Sequence, residues 1–113
     1  MGIMKINITA RHFDLTSALK EYIEETLTKL ERFSNHLIEA HVILEKEGYR
    51  HIAEMVLHVN RSTLMAKEES DDMYMAADRA AEKLEKQIKR YEERLKDERH
   101  RAGSRNKETQ GRR

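Results

Sequence analysis

The chain has 113 residues, with 22 Lys+Arg against 21 Asp+Glu and no Cys, Pro or Trp. That length holds one domain with a modest core, and without cysteine a disulfide framework, a thiolate zinc site and a cysteine nucleophile are excluded. A formal net charge of +1 excludes diffuse attraction to nucleic acid but leaves open how the charges are placed.

From Ile3 to Thr9 the residues alternate, with Met4, Ile6 and Ile8 on one side and Lys5, Asn7 and Thr9 on the other, the period of a half-buried strand. Thr16 then offers a helix N-cap, and Leu15, Leu19, Tyr22, Ile23, Thr26, Leu27, Leu30 and Phe33 recur at spacings of three and four. This predicts a helix from about Thr16 to Arg32. Period two returns with Ala40, Val42 and Leu44, and after a turn at Gly48 with Ala53, Met55, Leu57 and Val59. Beyond Asn60 to Ser62 a last short run places Leu64 and Ala66 opposite Met65 and Lys67, so three consecutive strands form a meander. Ser70, Asp71 and Asp72 supply cap candidates and negative charge where a helix macrodipole favours it. A long helix follows to about Glu98, its apolar stripe Ala77, Ala81, Leu84, Ile88, Tyr91 and Leu95. Residues 99–113 carry 6 Lys+Arg against 1 Asp+Glu and no large aliphatic side chain, and are expected to form a flexible, basic polar tail behind a domain of residues 1–98.

The order strand-helix-strand-strand-strand-helix implies a parallel first pair through a right-handed crossover, followed by antiparallel hairpins. The expected fold is therefore an α+β two-layer sandwich, a four-stranded mixed sheet with both helices on one face. The other face, with Lys5, Asn7, Glu39, His41, Glu45, Glu54, His58 and Lys67, is expected to be open to water. No apolar run approaches the roughly 20 residues that span a bilayer, so a cytoplasmic chain with no membrane partner is expected.

Catalysis finds no support: the carboxylates are abundant but form no recognisable triad, phosphate loop or metal helix motif. His51 and His58 differ by an odd number and point to opposite faces of one strand, whereas His41 and His58 can meet as a surface pair on the open face without a third ligand. No enzyme activity, metal, cofactor or small-molecule substrate is expected.

The informative element is the long helix. At about 100° per residue from Ala77, its apolar residues fall within about 40° of zero, while Arg79, Lys83, Lys86, Arg90 and Arg94 fall between about 180° and 260°. Glu82, Glu85, Glu92 and Glu93 lie instead between about 60° and 160°, with Lys89 and Lys96 among them, and only Asp97 intrudes on the basic stripe. The pairs Glu82 with Lys86, Glu85 with Lys89 and Glu92 with Lys96 have a stabilising four-residue spacing, but such pairs do not explain why five cations share one stripe. A cationic stripe on a rigid helix suits a phosphate backbone, since each neutralised phosphate releases counterions without any base being read. Tyr22, Phe33 and Tyr91 belong to apolar stripes, and no aromatic platform for stacking bases is present. From the residues alone the surface serves structured RNA in general, or a protein partner through the long helix or the open sheet face.

The run Asp72-Met73-Tyr74 with Ala76, Ala77 and Asp78, followed by Lys83-Leu84-Glu85-Lys86-Gln87-Ile88, resembles the ribosome hibernation promoting factor family. So do the opening Ile6-Asn7-Ile8-Thr9, Lys29-Leu30-Glu31 in the first helix, and Leu57-His58-Val59-Asn60 followed by Leu64 and Ala66. The resemblance covers about residues 3 to 98 and implies the same strand-helix-three-strand-helix fold. It further implies a translation inhibitor of idle ribosomes, under stress or in stationary phase, that occupies the small ribosomal subunit where messenger RNA and transfer RNA pass. Positions matching the family's ribosomal RNA contacts are Lys20, Lys29, Lys83, Lys86, Lys89, Arg90, Arg94 and Lys96. Glu92 and Glu93 depart from a stretch that is often more basic in the family. The chain is similar to the short form, which has no second domain for joining ribosomes, and the resemblance leaves two roles open: promoting ribosome dimers beside a separate ribosome-dimerising factor, or keeping single ribosomes idle.

Overall fold

The structure, a computed structural model, describes residues 4–104, with side chains as far as Glu98. Its elements are β1 (Lys5–Arg11), α1 (Ser17–Lys29) continued by a 3₁₀ turn (Leu30–Phe33), β2 (Leu37–Glu47), β3 (Arg50–Val59), β4 (Ser62–Ser70) and α2 (Met73–Ser104). The four strands lie side by side in chain order, β1 parallel to β2 and the other pairs antiparallel, and both helices cover one face. The expected α+β sandwich is thus the observed one.

The local reasons are those of the sequence. Thr16 caps α1, its Oγ1 accepting the Leu19 N–H at 3.1 Å, and Asp72 offers its carbonyl to the Ala76 N–H at 3.0 Å in the first turn of α2. The β2–β3 and β3–β4 connections are two-residue turns, with Glu47 opposite Arg50 and Val59 opposite Ser62. Gly48 takes the positive φ of +60° that the first turn requires. In the second turn the positive φ, +69°, falls on Arg61.

Ala40, Val42 and Leu44 of β2 and Ala53, Met55, Leu57 and Val59 of β3 form the floor of the core. Leu19, Ile23 and Leu27 of α1 and Leu84, Ile88 and Tyr91 of α2 close it from above. Ala76, Ala77, Ala80 and Ala81 are all buried, and their small side chains let the start of α2 approach its neighbours closely. α2 packs over β3 and β4, and α1 lies beside it toward β1, where Glu31 accepts the Met4 N–H at 2.9 Å.

Two boundaries differ from expectation. The first helix tightens into a 3₁₀ turn after Lys29, whose hydrogen bonds satisfy carbonyls that an ending helix would leave unpaired. The second helix runs past Glu98 to Ser104, and Arg99, Arg101 and Ala102 have the helix propensity to carry it on. The remainder of the expected tail, residues 105–113, lies outside the described residues.

Leu84 is fully buried and Met65 is 52% exposed. Leu84→Ala is therefore expected to cost about 2–5 kcal/mol in chemical denaturation, and Met65→Ala to stay within about 0.5 kcal/mol of the parent.

Candidate nucleic-acid interface

The long helix is keyed to the sheet by one row of side chains. Arg79 Nη1 donates to the Glu69 carbonyl at 3.4 Å, Lys83 pairs with the Glu68 carboxylate, Gln87 Nε2 donates to the Met65 carbonyl at 2.8 Å, and the Tyr91 hydroxyl donates to the Asn60 carbonyl at 2.5 Å. These residues are four apart, so they form a single ridge on the helix, and the ridge runs along β4 to the turn that precedes it. The flank of α2 that carries the cationic stripe therefore overhangs the β4 edge of the sheet.

Arg79, Lys83, Lys86, Arg90 and Arg94 are all exposed on that flank. Arg79 and Lys83 are tethered to β4 as described, while Lys86, Arg90 and Arg94 have no carboxylate partner among the described residues. The carboxylate of Glu69, one residue from the Lys83 partner, points to the opposite face of the sheet, where Arg50 holds it at 2.7 Å and lowers its pKa by hydrogen bonding. It therefore does not neutralise the stripe.

The other flank of α2 faces α1. Asp78 accepts the Tyr22 hydroxyl at 2.6 Å, which raises the phenol's pKa chiefly through that hydrogen bond, and Tyr74 meets the Tyr22 ring edge-on with centroids 5.0 Å apart. Glu82 and Glu85 line the same groove with Lys29, Arg32 and Phe33. Lys89 pairs with Glu85 at 3.0 Å and lies 4.9 Å from the centre of the Phe33 ring.

The nine candidate cations thus fall into three places. Five form the stripe over β4. Lys29 and Lys89 flank the groove between the helices, with Lys96 two turns beyond Lys89 on the same side. Lys20 lies on the flank of α1 turned away from α2, since Tyr22, Thr26 and Lys29 mark the flank turned toward it.

Of the three expected four-residue pairs in α2, Glu85 with Lys89 forms. Among the described residues no ion pair joins Glu82 to Lys86. Glu92 is turned inward instead. Its Oε2 accepts the hydroxyl of buried Ser34 and lies 2.7 Å from His36 Nδ1, while the His36 N–H donates to Ser34 Oγ at 2.9 Å. The Asn60 N–H donates to the His36 carbonyl at 3.1 Å, so one hydrogen-bonded knot joins the start of β2, the β3–β4 turn and α2. The acidic departure at Glu92 is accordingly structural, and it could not be recognised from charge and helical angle alone. Gln87, neutral and beside the stripe, escaped notice for the same reason.

The open sheet face satisfies itself. Glu39 lies 3.0 Å from His41 Nε2 and accepts from Asn7 at 3.2 Å, and the His41 and His58 rings meet edge-on at 5.5 Å, the cross-strand pair expected. Val56 pairs with Met65 across β3 and β4, with Ile43 beside them on β2, a small apolar cluster. Among the described residues no three His, Asp or Glu side chains converge to hold a metal ion, and no helix is long and apolar enough to cross a membrane.

The family model described as Sigma 54 modulation protein / S30EA ribosomal protein matches residues 6–96. The ribosome hibernation promoting factor of Salmonella typhimurium is 36% identical over 93 residues, covering 82% of this chain and 98% of that protein. The Protein Y N-terminal domain of Thermus thermophilus has a similar structure, with a TM-score of 0.75 and 32% identity over 78% of this chain and 99% of that one. A ribosomal subunit interface protein from Coxiella burnetii gives a TM-score of 0.71 and 30% identity, over 79% and 98% of the two chains.

Removing the Glu92 carboxylate leaves the buried Ser34 hydroxyl without its acceptor. Glu92→Ala is expected to lower the unfolding free energy by about 1–3 kcal/mol, and Glu93→Ala, one residue on and exposed, by no more than about 0.5 kcal/mol in the same thermal or denaturant titration.

Proposed function

The chain belongs to the Sigma 54 modulation protein / S30EA ribosomal protein family, and from that premise we propose that it is a non-enzymatic ribosome hibernation factor acting in the cytoplasm. It binds the small ribosomal subunit, lays the outer face of its helices on ribosomal RNA in the decoding region, and keeps messenger RNA and transfer RNA out. Idle ribosomes are thereby preserved under stress or in stationary phase, with a separate ribosome-dimerising factor as a possible companion on the subunit. The RNA-binding residues are Arg79, Lys83, Lys86, Arg90 and Arg94 on the main stripe, with Lys20, Lys29, Lys89 and Lys96 as supplementary contacts.

The observation that carries this reading is the state of Lys86, Arg90 and Arg94: exposed on one flank of a rigid helix and left without carboxylate partners among the described residues. Exposed cations that served only to stabilise the helix would be expected opposite the glutamates four residues away. Here Glu82, Glu85, Glu92 and Glu93 lie on another flank, and Asp97, which shares the arc of the stripe, pairs with none of the three among the described residues. Such a surface reads the path of a phosphate backbone and not a base sequence, which suits a folded RNA wall.

In sedimentation or filter binding with intact small subunits, Lys86→Glu combined with Arg90→Glu is expected to weaken binding far more than the matched reversal Glu82→Lys with Glu85→Lys, with both variants folded. Equal losses would defeat the proposal, and so would equal binding to an unrelated RNA duplex. If the stripe takes four or five phosphates, log affinity should fall with log salt at a slope of roughly −3 to −4.

A further inference from the structure

The β3–β4 turn is a two-residue loop, Asn60-Arg61, closed by Val59 opposite Ser62. Its second residue has φ +69°, a left-handed backbone in which Cβ crowds the following carbonyl and which glycine adopts without that penalty. The chain nevertheless carries arginine there. Arg61 is exposed and makes no hydrogen bond or ion pair among the described residues, so no internal interaction offsets the strain. A strained residue with no internal role is a pointer to an external one.

Its position says which. The preceding residue, Asn60, gives its carbonyl to the Tyr91 hydroxyl, so the turn is pinned against α2 at Tyr91, next in the chain to Arg90 and one turn before Arg94. The Arg61 charge acts on Tyr91 across this contact, opposing the rise in its pKa that burial causes. Because α2 runs antiparallel to β4 along the ridge of Arg79, Lys83, Gln87 and Tyr91, the turn stands at the end of the helix flank where Arg90 and Arg94 are exposed.

We infer that Arg61 belongs to the same interface: its guanidinium, held at the head of β4 beside Arg90 and Arg94, takes a further phosphate of the RNA backbone. The inference rests on the reading of α2 as an RNA-binding surface. It makes the contact a two-element one, helix and turn, so that the backbone is gripped at two angles and not along a single line. The hydrogen-bonded knot of Ser34, His36, Asn60, Tyr91 and Glu92 holds the two elements in fixed relation.

The test uses intact small ribosomal subunits over a salt series with four proteins: the parent, Arg61→Gly, Lys46→Ala and the Lys86→Glu, Arg90→Glu double variant. Lys46 is an exposed cation at the opposite end of the sheet, opposite His51, so its loss changes net charge without touching the turn. Arg61→Gly relieves the backbone and is expected to melt at or above the parent's temperature. It is also expected to bind roughly three- to tenfold more weakly at fixed salt, with the log-log salt slope shallower by about 0.7 to 0.9, the share of one phosphate. Lys46→Ala should keep the parent's slope. An unchanged slope for Arg61→Gly, while the double variant loses binding, overturns this inference and leaves the helix reading in place. Equal slope changes in Arg61→Gly and Lys46→Ala overturn it as well, by showing a diffuse effect of charge. Parent-like binding by the double variant defeats the helix reading, and this inference with it.

Discussion

Everything on the outer surface of the helices depends on the rotation at which α2 lies on the sheet, and that rotation is set by the ridge of Arg79, Lys83, Gln87 and Tyr91 over β4. The lengths agree. From Arg79 to Gln87 the helix advances eight residues, roughly 12 Å, and their acceptors, the Glu69 and Met65 carbonyls, are four strand residues apart, roughly 13 Å. Helix and strand therefore stay in step over these two turns, and the longer Tyr91 side chain closes the row at the turn. With the ridge seated, the alanines and Leu84 and Ile88 meet the core, the five cations of the stripe overhang β4, and Asp78, Glu82 and Glu85 meet α1.

The near-neutral sum of charges is a consequence of this arrangement and not a measure of it. Along α2, residues 79–98 hold 7 Lys+Arg and 6 Asp+Glu, yet Asp78, Glu82 and Glu85 are directed into the seam between the helices, Glu92 is consumed by Ser34 and His36, and Lys86, Arg90 and Arg94 remain exposed. The β4 side of α2 therefore carries an excess of exposed cations although the helix as a whole is near neutral. Such a surface attracts an anion at close range and little at a distance, since opposite charges within a Debye length, about 10 Å at moderate salt, cancel its far field.

The fold was legible because each element states its period twice, in its apolar residues and in its polar ones: Met55 and Leu57 against Glu54 and His58, Leu84 and Ile88 against Lys83 and Lys86. The stripe was legible for the same reason, since a helix repeats regularly enough for residue spacing to fix the angle of each side chain. What escaped depends on which element faces which. Gln87 is unremarkable until a strand carbonyl lies below it, and Glu92 reads as surface charge until Ser34 and His36 arrive from 56 and more residues away. The last residues of α2 are not marked in the sequence, since no large aliphatic side chain follows Leu95 to extend the apolar stripe.

The same ridge has a bearing on how copies of the chain behave at high concentration. The two-residue β3–β4 turn makes Val59 and Ser62 a hydrogen-bonded pair, so even-numbered residues of β4 bond to β3 and odd-numbered ones direct their backbone groups outward. The two α2 side chains that reach backbone carbonyls in β4, Gln87 and Arg79, fall on Met65 and Glu69, both odd. The β4 margin of the sheet is thus engaged from above at two of its outward carbonyls, whereas β1 is the other edge strand. A fibril grows only from units with two receptive margins. Side-chain engagement of β4 therefore disfavours growth through that margin.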